Sequence, residues 1–193
     1  MSFAPITTAR LVLRRLTVAD AVAVADYRAD PDVARYQSWH AADADAARLA
    51  TWFAQHERSE AGDRDAAGLL VAITLRQGGA LIGDCTLRVH GDEPQTAEIG
   101  YSLAPAHQRH GYGAEAIAAM CRWALAQPPI TRVVAISDVR NHRSIALLER
   151  IGMVRIACIE TKLRGEPTHA LWYQLTRADL DARAPATDGM RRT

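Results

Sequence analysis

Residues 10–16, Arg-Leu-Val-Leu-Arg-Arg-Leu, alternate apolar and polar side chains as a half-buried strand does. Thr17, with Asp20 three positions on, has the spacing of a capping box and predicts a helix to about Asp30, where Pro31 stops it. Over residues 41–58 the apolar positions Ala47, Leu49, Ala50, Phe53 and Ala54 recur at helical spacing, and Gly62 closes that segment. Two β-patterned runs, 69–75 and 80–89, flank Gln77-Gly78-Gly79, a hairpin signal. Residues 97–103 predict a further strand, stopped at Pro105. In 112–126 the positions Ile117, Met120, Cys121, Trp123 and Ala124 follow the helix period, and Pro128-Pro129 ends the element. A buried strand over 132–137 precedes a short helix over 144–151, with Gly152 where a left-handed C-cap belongs. Strands over 154–160 and 170–175 flank the turn-like Arg164-Gly165-Glu166-Pro167. The domain spans 8–180, and the residues beyond carry no packing pattern, as a mobile tail would.

The sum is about seven strands and about four helices, in the order β-α-α-β-β-β-α-β-α-β-β. Hairpins give antiparallel pairs, and the strand-helix-strand segment from 97 to 137 gives one parallel step through a right-handed crossover. The expected fold is therefore a single α/β domain with a mixed, mostly antiparallel sheet and helices on both faces. Composition changes this little. A chain of 193 residues is one domain's worth. A balance of 23 basic to 22 acidic side chains argues against nonspecific nucleic-acid binding. The first residues lack a charged segment followed by an apolar core, and no run approaches the roughly 18 apolar residues of a membrane span, so a cytoplasmic protein with no membrane contact is expected. Cys85, Cys121 and Cys158 have neither disulfide nor zinc spacing and read as small buried apolar residues.

The informative stretch is Gln108-Arg109-His110-Gly111-Tyr112-Gly113-Ala114, between a strand end and a helix start. Free N–H groups at a helix start, with glycines that let a phosphate approach the main chain, make an anion site. The plainer reading is a tight turn in which Gly111 and Gly113 serve the backbone alone. A rival reading takes Gly111-x-Gly113-x-x-Ala116 as a dinucleotide fingerprint, with Asp138 as the ribose-binding acid. Six residues separate the strand from the first glycine, and two helices and a hairpin precede it, which weighs against a nicotinamide enzyme.

Gln108-x-x-Gly111-x-Gly113, following Ala97-Glu98-Ile99-Gly100-Tyr101, resembles the acetyl-CoA motif of the GNAT superfamily of N-acetyltransferases. Asn141-x-x-Ser144-x-x-Leu147-Leu148-Glu149-Arg150-Ile151-Gly152-Met153 is similar to that family's next helix. Thr8-x-Arg10-Leu11-x-Leu13-Arg14 and Leu171-Trp172-Tyr173-Gln174-Leu175 resemble its RimJ/RimL-like branch, which acetylates ribosomal-protein N-termini. The resemblance covers about residues 8–180. It implies acetyl-CoA as co-substrate, an amine acceptor (a protein N-terminus or a small molecule) and no metal; a homodimer is common in the family. The diphosphate would lie on Gln108, Arg109, His110, Gly111, Tyr112, Gly113 and Ala114, and the pantetheine arm on the edge Ser102-Leu103-Ala104. Asn141 would reach the arm's amides; its plainer role is a helix N-cap.

For catalysis the resemblance names Glu98 as general base, Ser144 near the sulfur as proton donor, and Glu160 as a second base. Against these stand a structural carboxylate, a helix-cap or water-ordering serine, and surface charge. Many members carry a tyrosine in the helix close to where Leu148 stands, so the tyrosine-acid mechanism does not transfer directly. His107-x-x-His110 lacks a third ligand at useful spacing, and no metal is assigned. Arg109 and Arg143 flank the phosphate region, as readers of a 3′-phosphate or as solvated side chains. Tyr36, Trp39 and Trp52 would line the acceptor side or pack the core, and Trp172 and Tyr173 would face opposite ways. The alternative to an acetyltransferase is an acyl-CoA-binding regulatory module without turnover.

Overall fold

The computed structural model describes residues 3–56, 68–89 and 92–182. Gly62 and the residues from 183 onward lie outside them, so neither the helix stop expected at Gly62 nor most of the expected tail is described. The chain runs β1 (Ile6–Thr7), β2 (Leu11–Arg15), α1 (Ala21–Arg28), α2 (Pro31–Ala34), α3 (Ala46–His56), β3 (Leu69–Leu75), β4 (Leu81–Val89) and β5 (Thr96–Leu103). It continues with α4 (Tyr112–Leu125), β6 (Arg132–Asp138), α5 (His142–Ile151), β7 (Val154–Leu163), β8 (Glu166–Thr176) and α6 (Arg177–Asp181). Among the described residues eight strands form one mixed sheet, in the order β1-β2-β3-β4-β5-β6-β8-β7. Every pairing is antiparallel except β5 with β6, the expected parallel step.

Three local differences from the sequence expectation have physical reasons. Thr17 and Asp20 form their box, with Thr17 N–H donating to Asp20 Oδ2 at 2.8 Å, but they cap a short 3₁₀ turn that leads into α1. Pro31 does not merely end a helix: it is the first residue of α2, and the Asp30 side chain accepts from the Asp32 and Val33 N–H groups. Thr176 caps a further helix, so regular structure runs beyond the expected domain end to Asp181. The β7–β8 hairpin turns on Arg164 and Gly165, at φ 49° and 88°, the positive pair that a right-twisted two-residue turn requires. Gly152 caps α5 at φ 97°, as its position predicts.

The sheet carries helices on both faces. On one, Ala116, Ile117 and Met120 of α4 and Leu148 of α5 join Leu13, Val71, Ile99, Val133 and Tyr173 in the larger core. On the other, Val24 and Tyr27 of α1 and Phe53 of α3 close a smaller core over Leu70 and Ala72. No helix among the described residues is long and apolar enough to cross a membrane.

The feature that creates a site is a divergence. β5 and β6 pair only from Thr96↔Arg132 to Glu98↔Val134. Beyond that rung β5 stays with β4 as far as Leu103, whereas β6 follows β8 as far as Asp138. The sheet splits into a wedge.

Candidate functional site

The wedge opens into a cleft of about 710 Å³, within the range of roughly 300–1,000 Å³ usual for small-ligand sites. Its walls are the end of β5, the segment that enters α4, the first turns of α5, and the rim after α2. Of the residues singled out from sequence, Ser102, Leu103, Gln108, Arg109, Gly111, Gly113, Ala114, Asn141 and Ser144 line it. Ala104, His110 and Tyr112 do not. Ala104 gives its N–H to the Ile82 carbonyl at 2.9 Å, and the His110 and Tyr112 rings stack with centroids 5.8 Å apart.

The turn into α4 is built by backbone conformation. Arg109 and Gly111 both take positive φ, 66° and 80°, which for Gly111 costs no Cβ clash. The first helical bond is Glu115 N–H to Gly111 O at 3.1 Å, and the N–H groups of Tyr112, Gly113 and Ala114 ahead of it have no protein acceptor among the described residues. These orphan donors and the helix dipole favour a negative charge at this end. Gly113 answers a different need: a Cβ there would sit 2.7 Å from Leu147 Cδ1 and 3.0 Å from Leu103 Cδ1, so its bare backbone lets α4 close on α5 and β5.

A second set of bonds pins this turn to its neighbours. Gln108 donates from Nε2 to the Leu103 carbonyl at 3.0 Å and accepts from Arg143 Nη1 at 3.0 Å, tying β5 to the start of α5. Glu115 accepts from Thr8 Oγ1, from Arg10 N–H and from Arg10 Nε, at 2.6, 2.9 and 2.7 Å. The Arg10 guanidinium also lies 4.5 Å from the Tyr112 ring centre. Sequence reading missed this strut, since its two ends are more than 100 positions apart.

At α5, Asn141 is the N-cap, its Oδ1 accepting from Ser144 N–H at 3.2 Å. Ser144 Oγ lies 2.9 Å from Tyr101 Oη. Burial, opposed by the bond to Ser144, pushes the Tyr101 phenol up to about 12. Leu148 is fully buried in the core. Glu98 stands on the last rung shared with β6, its Oε2 3.9 Å from Arg88 Nη2. By strand alternation it projects from the face opposite Tyr101. Glu160, on the edge strand β7, is exposed and 3.9 Å from His169 Nε2. Neither carboxylate is part of the cleft wall.

The rim on the α1 side hangs on charged side chains. Tyr27 donates to Asp84 Oδ1, and Arg28 Nη2 donates to Asp84 Oδ2 at 2.9 Å. Arg28 lies 4.3 Å from the Trp39 ring centre. From the β7–β8 turn, Arg164 donates to the carbonyls of Ala34, Arg35, Gln37 and Trp39. The segment so held sends Gln37 Nε2 to the Tyr101 carbonyl at 3.3 Å. Tyr36 lines the cleft, while Trp52 packs on Phe53. On β8 the Tyr173 ring is buried in the larger core, and its neighbour Trp172 lies on the other face by alternation.

Charge decides what the cleft can accept. Among the described residues, Arg35, Arg109, Arg140, Arg143 and Arg150 line it, against one acid, Asp32, which is paired with Arg35. Such a wall favours an anionic ligand. The dinucleotide reading does not survive: Asp138 is spent on Arg140 and on Thr168 Oγ1, at 2.7–2.9 Å, and the Arg140 bonds hold its carboxyl well below the usual range. The strand leading to Gly111 also has an antiparallel neighbour, β4, where the fingerprint requires a parallel sheet. Cys85 and Cys121 are buried, and burial pushes both thiols up, Cys121 to about 12, so neither offers a thiolate. Cys158 corrects the expectation of burial: it is exposed, as are Arg155 and Ile156 on the same strand β7.

Comparison with known proteins gives a consistent result. Residues 10–154 match the model of the acetyltransferase (GNAT) domain. The chain is similar to YoaA of Bacillus subtilis (strain 168), described as an uncharacterized N-acetyltransferase: 26% identical over 153 residues, covering 78% of this chain and 82% of that protein. The fold is similar to that of spermidine N-acetyltransferase from Vibrio cholerae in complex with CoA and spermine (TM-score 0.75, 17% identity, 89% of this chain and 98% of that one). It is similar also to ribosomal-protein-S5-alanine acetyltransferase from Vibrio fischeri (TM-score 0.68, 16% identity, 90% of this chain and 97% of that one).

Proposed function

The chain belongs to the acetyltransferase (GNAT) family and is an acetyl-CoA-dependent N-acetyltransferase, and from that premise we propose that it acetylates an amine of low pKa, foremost a protein N-terminus. The observation that carries the reading is the wedge beyond Glu98↔Val134, with unpartnered amides of the α4 turn in the same cleft. Those amides with Arg109 and Arg143 suit a diphosphate, and the parted edge of β5 suits a narrow, peptide-like arm. Bound there, the coenzyme supplies an acyl thioester.

The residues then divide the work. Gln108 and Arg143 fix the coenzyme's side of the wedge, and Asn141 and Ser144 face it from α5. Glu98, at the point where the strands part and on the face of α1 and α3, takes the acceptor's proton through a water. Attack is direct, which the burial of Cys85 and Cys121 supports. Glu160 is the second candidate base; its exposed position on β7 favours Glu98 over it. A free α-amine, with pKa near 7.7–8.0, is neutral to roughly a tenth or more at pH 7, against about one part in a few thousand for lysine. A site whose base acts through water serves such an amine best, in line with the RimJ/RimL-like motifs at both ends of the chain. The reading carries with it a cytoplasmic protein, checked by fractionating cells that express a tagged chain.

Thiol release from acetyl-CoA tests the activity across N-terminal peptides, amino acids, polyamines and aminoglycosides. The expected result is fastest release with an α-amine peptide. Calorimetric binding of acetyl-CoA without release by any amine would make the protein a regulatory module, and absence of binding would remove the α4 turn from the account.

A further inference from the structure

One hydrogen bond in the cleft has no part in the mechanism above. Tyr101 reaches from β5 to Ser144 on α5, Oη to Oγ 2.9 Å, and both residues line the cleft. Asn141 fixes the backbone of Ser144 from the other side. Ser144 is the only hydroxyl side chain on α5, and Leu148 one turn on is buried in the core.

A serine hydroxyl has one proton and two acceptor positions. Donating to Tyr101 uses up that proton; accepting from Tyr101 leaves it for the cleft. A phenol, ordinarily near pKa 10, is the stronger acid of the two groups and hence the better donor. Burial raises the Tyr101 phenol further, so it keeps its proton throughout the neutral range.

We propose that Tyr101 is a positioning residue that donates to Ser144 Oγ and so turns the single Ser144 proton toward the place where a thioester sulfur departs. The proposal rests on the acetyl-transfer reading. Ser144 O–H meets the charge on sulfur, which keeps the electron pair of the broken C–S bond; no proton leaves Tyr101. A tyrosine on the strand thus serves through a serine on the helix, which itself carries no tyrosine.

Two measurements on the full chain test this, using wild type, Tyr101→Phe, Ser144→Ala and the double variant. Proton NMR of tyrosine-labelled, ligand-free protein should show a slowly exchanging Tyr101 hydroxyl in wild type, assigned by its loss in Tyr101→Phe and lost also in Ser144→Ala. In thiol-release assays each single variant should lose about tenfold in kcat, the scale of one hydrogen bond, with KM for acetyl-CoA within about twofold. The double variant should be no slower than Ser144→Ala. A Tyr101 hydroxyl that stays protected in Ser144→Ala, an unchanged kcat in Tyr101→Phe, or losses that multiply in the double variant would overturn the proposal. Absence of thiol release in wild type would instead overturn the acetyl-transfer reading, whatever the hydroxyl signal.

Discussion

The two sides of the wedge are held by different interactions. Around α4 and α5 the chain combines short-range devices, positive φ at Gly111 and Gly152 and an Asn141 cap three residues from the amide it binds, with a large apolar core. Around α1 and α2 the apolar core is small, and buried or bridging charges do the rest. Tyr27 and Asp84 are 57 positions apart, and Arg164 and Ala34 130 apart. The ligand-binding side thus adds an exposed strut from Arg10 to Glu115 to local caps and a large core, while the opposite rim depends mainly on charged side chains that meet only once the sheet has formed.

The strongest way to break this contrast is Asp84→Ala. Arg28 has a side chain only 13% exposed and would lose its carboxylate, and breaking a buried pair by removing one partner costs about 3–5 kcal/mol. Urea denaturation should show a loss of that order. A loss under about 1 kcal/mol would mean that the smaller core holds α1 without its charges.

Gly113→Val probes the other side. The added Cβ alone would crowd Leu147 and Leu103, and overpacking of this kind costs about 1–3 kcal/mol. Because the same glycine sits in the α4 turn, calorimetry should also show acetyl-CoA binding weakened about tenfold or more, since 1.4 kcal/mol corresponds to a factor of ten. Sequence alone attributes that effect to crowding of a phosphate; the structure attributes it to α4 being pushed away from α5. Unchanged stability with weakened binding would restore the first explanation.

Arg164→Ala should sort the two sides kinetically. The four carbonyls it bridges belong to the rim after α2, and Arg164 itself is exposed. Loss of its bonds should raise KM for the amine about three- to tenfold, as expected for about 1 kcal/mol, with acetyl-CoA affinity unchanged. An equal loss of both affinities would show that the rim and the α4 turn move as one body.

What the sequence reveals follows how far apart along the chain the interacting residues lie. Alternation and helix period place most elements, and Gly111, Gly113, Asn141 and Ser144 all line the cleft, because turns and caps are written within a few residues. Ile6–Thr7 escapes, since two residues carry no period. Gln37, Arg164 and the Arg10–Glu115 strut escape because their partners lie more than 60 positions away. Tyr101 sits inside the motif that announces the site, yet its role depends on a serine 43 residues on. Alternation does mark it as facing the same side as Ile99, the side on which the larger core and α5 lie.

The smallest effect belongs to Glu115→Gln, and it tests whether the α4 turn has a charged clamp comparable to that at Asp84. Burial alone would raise the Glu115 pKa, but the bonds from Thr8 and Arg10 outweigh it and leave the carboxyl below its usual range. A depressed carboxyl stabilises the fold fully above its unfolded pKa of about 4.3, and that share is lost as pH falls through the folded value. Arg10 is 47% exposed, so solvent screening limits the pair to about 0.2–1 kcal/mol. Wild type should therefore melt slightly above Glu115→Gln at pH 7, and the gap should close as pH falls through the depressed folded pKa of Glu115 and its carboxyl takes up a proton. A gap at pH 7 as large as that of Asp84→Ala would erase the distinction between the two sides. A gap that persisted in acid would trace the strut to shape and neutral hydrogen bonds instead of charge.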